Sequence, residues 1–500
     1  MRTVTYNTIF LTGASLIQKT LSFIYFTLLA RTFTASEIGA YSYSLAFTTI
    51  FSILIDGGLT PVLIRHTARH PAQARSFLKK IFTYKIVFLC FTLVAMIFAV
   101  FGVDAAFETR YLILGAVAVM MVDSLNLSVF GVLRGTQNLI FESVGVVCAQ
   151  LTSLACVIAT VVFHLPIVWA IIGLGVGSVV NASIGFFGLS RINRAASSAV
   201  RESAPITLSF RDFMRESLPF ALAGIFARGY SYLDLLLLGS FANFAAAGTY
   251  SIANKTTFVF QFIPLSLSAV LYPAFSKLLV SNDRVTIRNT WWSSERYLIV
   301  MAGMITMVLI SLRVEILGFF GAEHVRAANV LILLALSLVF SFMSYPVGAL
   351  LNASGFQKLQ TAAMGCTLVI NAVLNVVLIP RLGGVGAATS ALIGNCVLFS
   401  IGAFFVEGRV EKMPWKRLLD SSVRIFLCGL IAGGVVILTQ SFFQNSVAVH
   451  GLRAILPIGV RAAFGVCIYG ILLIAFGVFS IAEARIKFFK IYEKNSSHHT

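Results

Sequence analysis

The stretch LTGASLIQKTLSFIYFTLLARTFTASEIGAYSYSLAFTTIFSILIDGGLTPVLIR, residues 11–65, decides how the rest of the chain is read. It is an apolar span, a short polar turn at residues 31–38, and a second apolar span that closes on Asp56-Gly57-Gly58-Leu59 and Arg65-His66. At 1.5 Å of rise per residue, each span is long enough to cross a hydrocarbon layer about 30 Å thick. Lys19 sits in the middle of the first span and Asp56 inside the second. An ionised side chain at the centre of a membrane helix costs about 2.5–3.5 kcal/mol on insertion scales, so such residues face a bundle interior or a wet cavity. The hairpin therefore reads as part of a repeated transporter with charge in its cavity.

The whole chain carries the same signature. Its 500 residues are 58% hydrophobic and 11% charged, with a mean hydropathy of +0.92. Soluble domains carry roughly 25% charged residues. Apolar runs recur along the length, where a β-barrel would show alternating segments of about 10 residues. The sequence thus specifies an all-α polytopic membrane protein. Its net charge of +18 is explained by basic loops beside anionic lipid, and nucleic acid is not expected as a partner. Seven cysteines lie within apolar runs without CxxC or metal-ligand spacing, so neither disulfide framework nor metal site is expected. The first apolar run is too long for a signal-peptide core and stays as a span.

Fourteen candidate spans follow in order, the ninth (297–312) the shortest. With the amino terminus inside, one set of loops carries twenty-seven Lys and Arg, Lys85 among them. The opposite set carries seven, including Arg461. That asymmetry predicts both termini on the cytoplasmic side. The longest polar insertion, residues 190–216, follows six spans. The expected organisation is an N-lobe (1–189, spans one to six), a cytoplasmic linker (190–216) and a C-lobe (217–406, spans seven to twelve). An accessory pair of spans (407–481) and a basic cytoplasmic tail (482–500) complete it. Gly39-Ala40-Tyr41-Ser42 recurs as Gly248-Thr249-Tyr250-Ser251, and Leu133 to Gln137 resembles Ala353 to Gln357. Both lobes begin inside, so they are expected as parallel repeats.

Three cations lie inside spans: Lys19, Arg228 and Lys255. The repeat offset carries Arg228 back onto Lys19, and helical rise places all three roughly 12–20 Å below the outer boundary. Together they form a candidate cationic belt for an anionic substrate, since they would otherwise repel one another at low dielectric. The structural alternative for Lys19 is an ion pair with Asp56 on the neighbouring helix. Asp56, Asp123 and Asp234 are candidate ion-coupling or counter-ion groups, Asp123 sharing a helix face with Asn126. Glu142 reads as a solvated boundary residue. Asn371 and Asn375 form a polar edge that suits interhelical contact. No nucleophile elbow, P-loop, H-E-x-x-H or catalytic carboxylate pair appears, so the chain is not expected to be an enzyme or to need a cofactor.

Leu29-Ala30-Arg31-Thr32-Phe33, Glu37 to Tyr41 and Asp56-Gly57-Gly58-Leu59 resemble the first hairpin of the polysaccharide-transporter (Wzx-type) flippases. These belong to the multidrug/oligosaccharidyl-lipid/polysaccharide exporter superfamily. Tyr232 to Gly239, Gly248 to Ser251, Leu351 to Gly355 and Val385 to Ala388 resemble the matching second-lobe patterns. The resemblance implies a flippase of the bacterial plasma (inner) membrane moving an undecaprenyl-diphosphate-linked oligosaccharide for O-antigen, capsule or exopolysaccharide. A polysaccharide polymerase and a chain-length regulator are implied partners beside membrane lipids. The family uses a cationic cavity for its headgroup, and Lys19, Arg228 and Lys255 match that chemistry. Alternatives are a peptidoglycan-precursor flippase, whose first helix typically carries an Arg-Asp pair where this chain has Gln18-Lys19-Thr20, and a multidrug or toxin cation antiporter. The antiporter should favour acidic cavity groups.

Overall fold

The computed structural model describes residues 2–102, 107–197, 210–439 and 455–478. Among the described residues the fold is helical and contains no strand. The helices are α1 (Arg2–Thr32), α2 (Ala35–Asp56), α3 (Leu59–Arg69), α4 (Ala74–Gly102), α5 (Phe107–Gly135), α6 (Leu139–Val162), α7 (Val168–Ser197), α8 (Phe210–Phe241) and α9 (Phe244–Phe258). They continue as α10 (Phe262–Val280), α11 (Arg284–Ser311), α12 (Arg313–Phe320), α13 (Ala328–Ala353), α14 (Gln357–Leu382), α15 (Gly384–Arg409), α16 (Trp415–Leu438) and α17 (Ile455–Ala475). Thirteen stretches of described helix are long and apolar enough to cross a membrane, and each overlaps one of spans two to fourteen. The first expected span, residues 8–30, falls within the 31-residue α1. The basic tail expected at 482–500 lies outside the described residues.

Local chemistry explains where the helices start and stop. Thr34 opens α2 with a capping box: its hydroxyl accepts from the Glu37 amide, and the Glu37 carboxylate accepts from the Thr34 amide at 2.9 Å. The span read as 39–64 is two helices, because Gly57 (φ 52°) and Gly58 (φ 73°) both adopt left-handed backbone. Side-chain-bearing residues adopt that conformation rarely, which is why the break falls on a Gly-Gly pair. A Cβ on Gly58 would also lie 2.4 Å from the Ser217 carbonyl oxygen, so α8 approaches the break at backbone distance. The eighth span is likewise interrupted. A short 3-10 turn, Val259–Gln261, separates α9 from α10 just before Pro264, whose ring cannot continue a regular ladder.

Contacts divide the chain into two units. Unit 1 comprises the described residues through Ser251 together with Ala372–Ala387. Unit 2 comprises Ile252–Asn371 and the described residues from Ala388 onward. Leu63, Phe77, Ile81, Leu133 and Phe213 make one buried cluster of unit 1, and Tyr43, Phe47, Met96 and Met120 another. In unit 2, Phe275, Trp291, Leu350, Cys428 and Tyr469 bring α10, α11, α13, α16 and α17 together. Large apolar side chains are also fully presented outward, such as Phe98 at 75% exposure. Such a face is costly in water and ordinary against lipid.

Two sequence expectations are corrected here. Arg461, counted with the outer loops, lies inside α17 with 3% exposure, paired with Glu315 and donating to the Val436 carbonyl at 3.1 Å. Its charge is neutralised inside protein rather than by solvent, so loop counting misplaced it. Glu142, expected to be solvated, is 4% exposed and receives Arg134 Nε at 2.9 Å. The Arg134 fork closes the α5–α6 turn over it.

Candidate functional site

The Gly-Gly break sets up the first polar cluster of unit 1. Asp56 is the last residue of α2, where the helix dipole disfavours an anion. Lys85, from α4, places its Nζ 2.9 Å from Asp56 Oδ1, 3.0 Å from the Ser124 carbonyl of α5 and 3.5 Å from the Thr60 hydroxyl of α3. The Thr60 hydroxyl also donates to Asp56. Lys85 is 3% exposed, so four helices converge on one ammonium removed from solvent. This corrects two readings: Lys85 is not a loop residue, and the partner of Asp56 is Lys85, not Lys19. The signal was present in the sequence, because Lys85 falls inside the apolar run at 81–103. Replacing Lys85 with Met leaves Asp56 without its cation and is expected to cost about 2 kcal/mol, less than a fully buried pair because Asp56 keeps some exposure. Adding Asp56→Asn should recover most of the loss; equal melting temperatures for wild type and the single variant would refute the role.

The three intramembrane cations have different surroundings. Lys19 is exposed on α1 and makes no ion pair among the described residues. Arg228 is half-buried on α8. Its guanidinium donates to the Ser52 hydroxyl and, at 3.4 Å, to the Thr49 carbonyl of α2. Both partners are neutral oxygens, so among the described residues no carboxylate cancels its charge. Lys19 and Arg228 belong to unit 1. Lys255, exposed on α9, belongs to unit 2.

The candidate acids also separate. Asp234, on α8, is 8% exposed and receives the Tyr250 hydroxyl at 3.0 Å and the Asn375 amide at 2.6 Å. Six residues from Arg228, it sits on another side of the helix. Sequence reasoning gave Asn375 an interhelical role but not this partner, 141 positions away. Asp123 is exposed on α5 and receives Asn126 Nδ2 at 3.5 Å, while the same amide donates to the Ser178 carbonyl of α7 at 3.1 Å. Asp56, Asp123 and Asp234 therefore serve three distinct clusters.

The repeated turn meets itself. Ser42 Oγ donates to Ser251 Oγ at 3.2 Å, a pair separated by 209 positions. A Cβ on Gly39 would fall 1.7 Å from the Phe244 carbonyl oxygen, and one on Gly248 would fall 1.8 Å from that of Ala35. The contact is reciprocal, because each glycine meets the residue four positions before the other. The start of α2 and the start of α9 thus touch through bare backbone, the approach that small residues permit between membrane helices.

Apolar helices long enough to span a bilayer and a repeated turn packed against its own copy define a multi-pass membrane protein. Residues 4–279 match the model of the polysaccharide biosynthesis protein family, and the chain belongs to that family. Residues 219–377 also match the MatE model. The probable low-salt glycan biosynthesis flippase Agl15 of Haloferax volcanii is 22% identical over 461 residues, covering 91% of this chain and 92% of the relative. The probable flippase AglR of the same organism is 27% identical over 238 residues, covering 46% and 48%. The fold is similar to that of the lipid II flippase MurJ in an inward closed conformation, with a TM-score of 0.69 and 17% identity over 94% of this chain and 98% of that one. The protein is thus a multi-pass membrane member of the polysaccharide biosynthesis protein family that shares its fold with the MurJ structure.

Proposed function

We propose that the protein flips an oligosaccharide linked through diphosphate to undecaprenol, from the cytoplasmic to the outer leaflet of a bacterial plasma membrane, with both its termini inside. The observation that carries this reading is Arg228: a guanidinium inside a membrane-spanning helix, held only by a hydroxyl and a carbonyl among the described residues. A cation left uncancelled there is expensive unless an anion completes it. Lys19 on α1 and Lys255 on α9 join it as diphosphate ligands in the proposal, while the lipid tail stays in the bilayer and access alternates. The protein makes and breaks no covalent bond in this cycle. Expression in a bacterial host lacking its own oligosaccharide-lipid flippase is expected to restore surface polysaccharide. Rescue of a strain depleted of its peptidoglycan-precursor flippase instead, or drug resistance without polysaccharide, would overturn the assignment.

Asp234 is the acid we assign to ion coupling, because it is buried and accepts from the Tyr250 hydroxyl and the Asn375 amide. A carboxylate so held can exchange a proton or a small cation as gradients change. Asp234→Asn keeps the shape and removes the charge. It is expected to slow export about tenfold and to abolish its dependence on the imposed ion gradient in proteoliposomes. Gradient dependence identical to wild type would exclude Asp234.

A further inference from the structure

Unit 1 holds a cleft of about 710 Å³ that the transport reading does not use. Its walls are apolar: Ile53 and Leu54 of α2, Phe88 of α4, and Leu218, Ala221 and Ile225 along α8. Its lining also includes Arg211 and Arg215 at the start of α8. These two arginines are one helical turn apart and share a face. Both are exposed, and among the described residues neither has a carboxylate partner. Arg65 nearby differs from them, since it reaches Glu216 at 3.7 Å and lies over the Phe220 ring. Asp212 also lines the cleft. It stands in the first turn of α8, where a carboxylate complements the helix dipole.

We propose that this cleft is a binding site for a membrane phospholipid, its phosphate held by Arg211 and Arg215 and one acyl chain lying along Leu218, Ala221 and Ile225 against α2 and Phe88. The two ends of the cleft match the two ends of such a molecule. Guanidinium groups present planar forks suited to phosphate oxygens, and basic groups at the membrane surface attract anionic headgroups. Below them the polar groups of the lining are the helix break at Gly57 and Ser217, whose buried hydroxyl is spent on the Met214 carbonyl at 3.2 Å, so the rest of the wall suits a hydrocarbon chain. The break itself shapes the floor, because a Cβ on Gly57 would lie 2.7 Å from the Phe88 ring. A free phosphate ion would satisfy the arginines but leave the apolar wall uncovered; a phosphate-free diacyl lipid would do the reverse. The site is separate from the Arg228 reading, so either can fail alone.

The full-length protein in detergent, titrated with phosphatidylglycerol and followed by native mass spectrometry, tests it. Wild type is expected to retain one lipid at least tenfold more tightly than diacylglycerol, with no displacement by millimolar inorganic phosphate. Arg211→Gln with Arg215→Gln, and separately Ala221→Phe, should each weaken that lipid about tenfold at an unchanged melting temperature. Arg75→Gln with Lys79→Gln removes an equally spaced, exposed basic pair from α4 outside the cleft and should leave binding intact. Undiminished binding in either cleft variant, equal loss in the α4 control, or displacement by inorganic phosphate would overturn the proposal.

Discussion

Arg228→Ala is expected to reduce surface polysaccharide export tenfold to a hundredfold at normal membrane levels of the protein. The magnitude follows from the chemistry of the contact: a hydrogen bond to a charged group contributes about 1.5–3 kcal/mol, and 1.4 kcal/mol is a factor of ten. Arg228→Lys keeps the charge and loses the planar fork, so its export should fall between wild type and Ala. The guanidinium also bonds Ser52 and Thr49, so removing it loosens α8 against α2. Ser52→Ala separates the two effects, because it deletes the interhelical hydroxyl and leaves the cation in place. If Ser52→Ala loses as much export as Arg228→Ala, the arginine is a packing residue. If Arg228→Ala, Lys19→Ala and Lys255→Ala all export normally, the cationic site is wrong. Lys19→Ala is expected to act through substrate alone, since Lys19 has no ion-pair partner among the described residues that its loss would strand.

The membrane-spanning architecture was legible in the sequence because hydropathy reports the one property that decides it: whether a segment of sufficient length can lie in hydrocarbon. It could not report which way a charge at the end of a span points. Lys85 and Arg461 both sit within a few residues of a span boundary, where a side chain can extend to solvent or turn into the bundle at little difference in sequence. Both turn inward, because Asp56 and Glu315 wait there on other helices. Asp56 shows the same limit from the acidic side. Adjacency in the sequence points to Lys19 as its partner, and the residue that captures it comes from α4. The link from Asp234 to Asn375 depends on helices brought together by the fold, so no local pattern announces it. The Gly39-to-Ser42 repeat was legible as a motif; its reason, direct backbone contact between the two copies, required the coordinates.

That contact supports the second prediction. Gly39 and Gly248 have no room for a side chain: the interfering atoms are carbonyl oxygens at 1.7 and 1.8 Å, which cannot swing away as a flexible side-chain tip could. Gly39→Val therefore cannot be absorbed by repacking and must separate α2 from α9 at this point. Overpacking typically costs about 1–3 kcal/mol, and a backbone overlap of this depth exceeds that range. Export is expected to fall at least tenfold, with Gly248→Val equivalent because the contact is reciprocal. A reversible lock shows whether the helices must also part during transport. In a background with the seven native cysteines replaced, Ser42→Cys with Ser251→Cys places two thiols where hydroxyl oxygens lie 3.2 Å apart. Oxidation should cross-link them, arrest export and spare the protein's abundance; reduction should restore transport. An oxidised, cross-linked protein that exports at the reduced rate would show that α2 and α9 stay joined throughout the cycle, and the alternating-access step would have to be built elsewhere in the molecule.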